Sequence, residues 1–89
     1  MKIIFLSSFL KDLKKIKDPK TARKIEQLIF TLKQANSLED VRNVKKMKGH
    51  SIAYRIKSGN YRMGFYKELD QVELARFLKR EDIYKVFPQ

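Results

Sequence analysis

From Val41 to Lys67 the sequence holds no acidic residue, yet Arg42, Lys45, Lys46, Lys48, Arg55, Lys57, Arg62 and Lys67 all fall inside that stretch. An ordinary protein surface intersperses its charge signs. A one-sign stretch is instead an electrostatic footprint for phosphate. Cations gathered on one surface can support metal-independent RNA cleavage. The ribose 2′-OH attacks the adjacent phosphate, and the cations stabilise the charge that develops on the phosphate oxygens. A Lys, Arg or Tyr whose pKa is shifted by neighbouring cations can move the protons. Tyr84, just beyond Lys79-Arg80, is the candidate, because nearby positive charge favours a phenolate. Taken alone, a tyrosine at that position is more often core, and only its place beside the cations raises it.

Other chemistries find little support. The single histidine, His50, follows Gly49 in an expected loop, where a histidine is usually a surface residue. No His and carboxylate cluster has metal-ligand spacing, so no metal or other cofactor is expected. There is no Gly-rich phosphate loop and no convincing Ser-His-Asp set. The absence of cysteine removes disulfides and thiolate metal sites and fits a reducing cytoplasm. The apolar start is too short for a signal peptide and is followed at once by Lys11, Asp12, Lys14 and Lys15. No segment is long enough to span a membrane. The 21 Lys and Arg against 10 Asp and Glu give a net charge of +11, which favours polyanionic partners. The plainer reading of that charge is a solvated basic surface, and the uneven distribution argues against it.

The elements that must position these residues follow from spacing. All 89 residues are expected to form a single domain. Residues 2–6 are β-branched and aromatic and predict a first strand. Ser7 or Ser8 can cap a helix on which Leu10, Leu13 and Ile16 recur. Asp18 and Pro19 open a second helix as N-cap and first helical residue, with Ala22, Ile25, Leu28, Ile29 and Leu32 on one face, ending near Asn36. Residues 41–48 are mixed, with room for a short strand or an irregular arm. Ile52, Tyr54 and Ile56, then Tyr61, Met63 and Phe65, alternate with a period of two across the turn Gly59-Asn60. After Glu68-Leu69-Asp70-Gln71, Val72 to Leu78 forms a third strand. The class is α+β, a helix hairpin packed on one face of an antiparallel sheet, with a short C-terminal helix or tail.

A two-residue loop at Gly59-Asn60 fixes the hairpin register. Ser58 then pairs with Tyr61, Lys57 with Arg62, Ile56 with Met63, Arg55 with Gly64 and Tyr54 with Phe65. Like charges opposite each other in a sheet destabilise it by roughly 0.2–1 kcal/mol, so the Lys57–Arg62 pair points to function. Gly64 is expected to leave open space beside Arg55 on a sheet face without helices. If Glu68 pairs with Gln71, Gly64 faces Ala75 and Arg62 faces Phe77, with Lys79 on the same face as Phe77. Phe77 is then either a platform for stacking a base or packing beneath the C-terminal tail. This scheme leaves Arg76 unexplained on the apolar face, unless it sits at an edge or snorkels outward.

The runs Lys46-Met47-Lys48-Gly49, Tyr54-Arg55-Ile56-Lys57-Ser58-Gly59-Asn60-Tyr61-Arg62 and Arg76-Phe77-Leu78-Lys79-Arg80-Glu81-Asp82-Ile83-Tyr84 resemble the RelE/ParE toxins of bacterial toxin–antitoxin systems. The resemblance covers nearly the whole chain. It implies two N-terminal helices on a curved antiparallel sheet, and a cognate antitoxin that wraps the toxin in a hetero-oligomer. RelE-type members cut mRNA in the ribosomal A site without metal, which implies mRNA and rRNA as partners and inhibited translation as the outcome. On this resemblance Arg62 and Arg80 match the phosphate-stabilising arginines, Arg55 and Lys57 the basic strand positions, and Tyr84 the C-terminal tyrosine. Lys48, with Lys46 and Phe77, would hold RNA. Lys79 stands where many relatives carry His, the easier acid or base near neutral pH, so Lys79 acts as a charge unless its pKa is lowered. The ParE branch shares the fold but poisons DNA gyrase. The reading that follows is a ribosome-dependent mRNA endonuclease, with a ParE-like gyrase inhibitor and an inactive RNA-binding relative as the alternatives.

Overall fold

The computed structural model describes residues 1–88. The chain runs β1 (Lys2–Phe5), α1 (Ser7–Lys14), α2 (Pro19–Gln34), a 3-10 turn at Leu38–Asp40, β2 (Val44–Lys46), β3 (Ala53–Ser58), β4 (Tyr61–Glu68), β5 (Gln71–Lys79) and α3 (Arg80–Val86). The strands form one sheet in the order β1-β5-β4-β3-β2. The α+β class and the two N-terminal helices over the sheet follow the sequence reading. The sheet itself is mixed, because β1 pairs with β5 in parallel.

α2 starts as its sequence dictates. Pro19 occupies the first turn, and the Asp18 carboxylate accepts from the backbone N–H of Lys20 and Thr21. α1 starts differently. Its N-cap is Leu6 without a side-chain cap, and the Ser8 hydroxyl donates to the Ala75 carbonyl at 2.6 Å instead. Its inward face is also offset from the expected one. Phe9 is fully buried, while Leu10 is 46% exposed. The main core joins Phe9 of α1 and Ile25 and Leu32 of α2 to Ile56, Met63, Phe65, Val72, Leu74 and Phe77 of the sheet.

The β3–β4 register is the one expected, from Ser58 opposite Tyr61 to Tyr54 opposite Phe65. Gly59 takes the left-handed φ of +58° at the first loop position, which glycine adopts at little cost. The β4–β5 register departs from expectation. It holds from Glu68–Gln71 to Phe65–Leu74 and then slips, so that Gly64 faces Arg76, Met63 faces Phe77 and Arg62 faces Leu78. Ala75 is the extra residue of this bulge, and a bulge re-aims the side chains beyond it. Leu74 and Phe77 therefore both point into the main core. Arg76 is turned to the sheet edge, where its Nε donates to Asp12 of α1 at 2.8 Å.

The second face of the sheet is not bare. Ile83 and Phe87 of the C-terminal segment cover Ala53 and Ala75 in a smaller core. The expected space at Gly64 is filled by the Phe87 ring, 2.7 Å from where a Cβ would stand. What remains open on this face is its end near the β3–β4 turn.

Candidate functional site

The β3–β4 turn and the start of α3 enclose a pocket of about 440 Å³, lined by Lys57, Gly59, Asn60, Arg62, Lys79, Arg80 and Glu81. Its geometry comes from three consecutive turn carbonyls. Arg62 Nη1 donates to Gly59 O and Tyr61 O, both at 2.9 Å. The Arg80 backbone N–H donates to Asn60 O at 2.9 Å. The first bonds lock the turn onto β4, and the last ties α3 to it, so the Arg80 side chain starts from a fixed backbone. Lys79 is the N-cap residue of α3. Lys57 reaches the same pocket from β3, opposite Arg62.

Arg62 is the unusual member. The residue is only 6% exposed, and its Nε is buried with no hydrogen-bond partner among the described residues. An unpaired buried donor costs roughly 1–3 kcal/mol. With Nη1 committed to the turn carbonyls and Nε out of reach of a ligand, Arg62 offers the pocket its positive charge.

Four of the sequence candidates, Lys57, Arg62, Lys79 and Arg80, are therefore brought together. The others are not part of this pocket. Arg55 lies on the same strand, half-buried, with Nη1 donating to Asn43 O at 3.4 Å. Lys46 and Lys48 line a separate depression with Met47, Gly49, His50 and Ser51. Tyr84 is 48% exposed on α3, one turn after Arg80 and hence on the same side of the helix. Phe77 offers no platform to a base. It is 1% exposed in the main core, and its ring stacks on Tyr61 at 4.9 Å with an interplanar angle of 7°. The bulge at Ala75 turned it inward. The sequence reading gave Glu81 no role, although it puts a carboxylate among these cations. The signal was its place directly after Lys79-Arg80. Among the described residues no group of three His, Cys, Asp or Glu side chains is arranged to hold a metal ion.

The arrangement of two N-terminal helices, a five-stranded mixed sheet and a short C-terminal helix is the RelE-type fold seen in solved toxin structures. No model of a known protein family matches the chain. It is 41% identical to Toxin RelE3 of Methanocaldococcus jannaschii over 90 residues, covering 99% of this chain and 100% of that protein. A chain of the RelB-RelE antitoxin-toxin complex from Methanococcus jannaschii superposes with a TM-score of 0.81 at 35% identity, covering 96% of this chain and 99% of that one. The isolated Escherichia coli RelE toxin shares the fold at 19% identity, with a TM-score of 0.64 over 94% of this chain and 90% of that one. The chain belongs to the RelE family, the toxins of toxin–antitoxin systems. No helix among the described residues is long and apolar enough to cross a membrane.

Proposed function

We propose that this RelE-family toxin is a ribosome-dependent, metal-independent mRNA endonuclease that blocks translation in the cytoplasm and is held inactive by a cognate antitoxin. The observation that carries the reading is the convergence of Lys57, Arg62, Lys79 and Arg80 on one pocket. The similar toxin from Methanococcus jannaschii is bound to an antitoxin in its structure, which supports the same kind of partner here.

In the proposed reaction the mRNA enters the ribosomal A site and presents one phosphate to the pocket, with mRNA and rRNA both contacting the basic surface. The 2′-oxygen bonds to the adjacent phosphorus, the bond to the 5′-oxygen breaks, and a 2′,3′-cyclic phosphate and a 5′-hydroxyl result. Arg62 and Arg80 stabilise the oxyanion charge. Lys57, with Arg55 behind it, Lys46 at the end of β2 and Lys48 in the turn that follows hold the backbone. Tyr84 or Glu81 takes the 2′-proton, and Lys79 supplies charge or a proton to the leaving oxygen.

Arg80→Ala is the cleaner test, because the side chain is exposed and the backbone N–H that ties α3 to the turn is kept. Cleavage of ribosome-bound mRNA should fall about 10²–10³-fold, the usual cost of losing one transition-state donor, with the melting temperature unchanged. Growth arrest with intact mRNA and inhibited gyrase supercoiling would overturn this reading in favour of a ParE-like inhibitor. Neither arrest nor cleavage would leave an inactive relative.

A further inference from the structure

We propose that the groove on the α2 side of the β3–β4 turn is a nucleobase subsite for single-stranded RNA, and that it favours cytosine over uracil. The proposal rests on the RNA-cleavage reading, and it assigns a nucleotide lying across the β3–β4 turn from the phosphate held in the cationic pocket.

The groove, of about 400 Å³, lies between α2, the segment 40–43 and Ser58. Leu28 and the buried Val41 give it an apolar floor. Asp40 and Asn43 stand on its rim, and Lys24 and Arg42 flank it. An apolar floor with a few convergent polar groups is the usual make-up of a small planar-ligand site, and flanking cations suit the phosphates of a strand whose base lies between them. The groove and the cationic pocket flank the same turn from opposite faces of the sheet, because consecutive strand residues point to opposite sides. Ser58 lines the groove, while Lys57 and Gly59 line the pocket. The Lys24 ammonium leans over the turn that separates them, 3.9 Å from where a Cβ at Gly59 would stand.

Asp40 separates the occupants. An acidic peptide would meet like charge at this rim, whereas a base amino group would meet an acceptor. Asp40 makes no ion pair or hydrogen bond with its side chain among the described residues, and neither do Lys24 and Arg42. A carboxylate accepting from the cytosine N4 amino group is a good pairing, while uracil presents a carbonyl oxygen at the same position and is repelled.

The test uses the full chain, ¹⁵N-labelled, with 2′-O-methyl hexacytidylate and hexauridylate, whose capped 2′-oxygens cannot attack. The expected result is amide shifts at Val41, Asn43 and Ser58 together with those at Lys57, Gly59 and Asn60, and about tenfold tighter binding of the cytidylate. Asp40→Asn should remove that preference while the spectrum keeps its dispersion. Shifts confined to the cationic pocket would overturn the groove assignment and leave the RNA reading standing. Equal affinity for the two oligonucleotides, or equal displacement of both by a hexaglutamate peptide, would overturn the nucleobase assignment. No binding of either oligonucleotide would overturn both.

Discussion

A methyl group added at Gly64 would stand 2.7 Å from Phe87 Cδ2 and 2.8 Å from Cε2. The ring is buried and cannot swing into solvent. Gly64→Ala should therefore cost about 1–3 kcal/mol by overpacking, read as a lower urea midpoint. Phe87 anchors the end of α3, whose first residue is Arg80, so cleavage should weaken in step. Because the clash is pairwise, Phe87→Leu should restore part of the loss in the Gly64→Ala background although it is harmful alone. Additive effects would show that the ring is free to move. Arg62 invites a similar separation. Its Nη1 holds two turn carbonyls, and charged hydrogen bonds are worth about 1.5–3 kcal/mol each. Arg62→Ala should thus lose stability as well as activity.

α1 serves the sheet edge as much as the core. β1 pairs with β5 only as far as Phe5–Leu74, and beyond that point the outer edge of β5 is met by α1, first by the Ser8 hydroxyl at Ala75 O. Asp12 meets the edge next. Its carboxylate accepts from Phe77 N–H at 2.9 Å and from Arg76 Nε and Nη2, and the hydrogen bond from Arg76 holds that guanidinium's pKa above its ordinary value. Asp12→Ala leaves a guanidinium and a strand N–H without their acceptor and should cost about 3 kcal/mol. The double variant Asp12→Leu/Arg76→Leu should recover only part of this, because Phe77 N–H stays orphaned. Full recovery would mean that the edge bond contributes nothing. At the other helix, hydrogen bonds from Thr21 and Lys20 lower the Asp18 pKa below its ordinary 3.8. A depressed folded pKa stabilises above the unfolded value and stops doing so as pH falls through the folded one. The stability gap between the native chain and Asp18→Ala should therefore be constant near neutrality and shrink below about pH 4. A gap that widened in acid would contradict this. These elements also mark what the sequence could reveal. The β3–β4 register was legible because Gly59-Asn60 permits one pairing, and Asp18-Pro19 is a local signal complete in itself. The bulge was not legible, since Ala75 carries no turn or glycine signature and the acceptor that meets Arg76 beyond it is Asp12, 64 residues away. Missing it placed Phe77 on the wrong face. Phe87 over Gly64 was hidden for the same reason, because a seven-residue α3 is too short for its periodicity to say which face it covers.

At the scale of the whole molecule, the net charge of +11 acts in two opposed ways. With one ion pair among the described residues, that of Arg76 with Asp12, most of this charge is uncompensated and faces water. Self-repulsion destabilises the compact state, and salt screens it over a Debye length of about 10 Å at 0.1 M. The same charge attracts RNA, and salt weakens that attraction through counterion release, with a slope of log affinity on log salt of about −0.7 per phosphate contacted on a single strand. Stability should therefore rise between 50 and 300 mM (roughly the range over which screening sets in) while oligonucleotide affinity falls. The pocket makes this specific. Lys57 and Lys79 line it with exposed side chains. Lys57→Ala and Lys79→Ala should each reduce the slope by about 0.7 if each ammonium neutralises one phosphate. Lys33→Ala, on an exposed position near the end of α2, should leave the slope unchanged. Equal slope changes from all three would mean that RNA reads the total charge and not the pocket. A lower affinity with an unchanged slope at Lys79 would mean that this residue acts on the RNA other than as a phosphate charge, which is the behaviour expected of a proton donor.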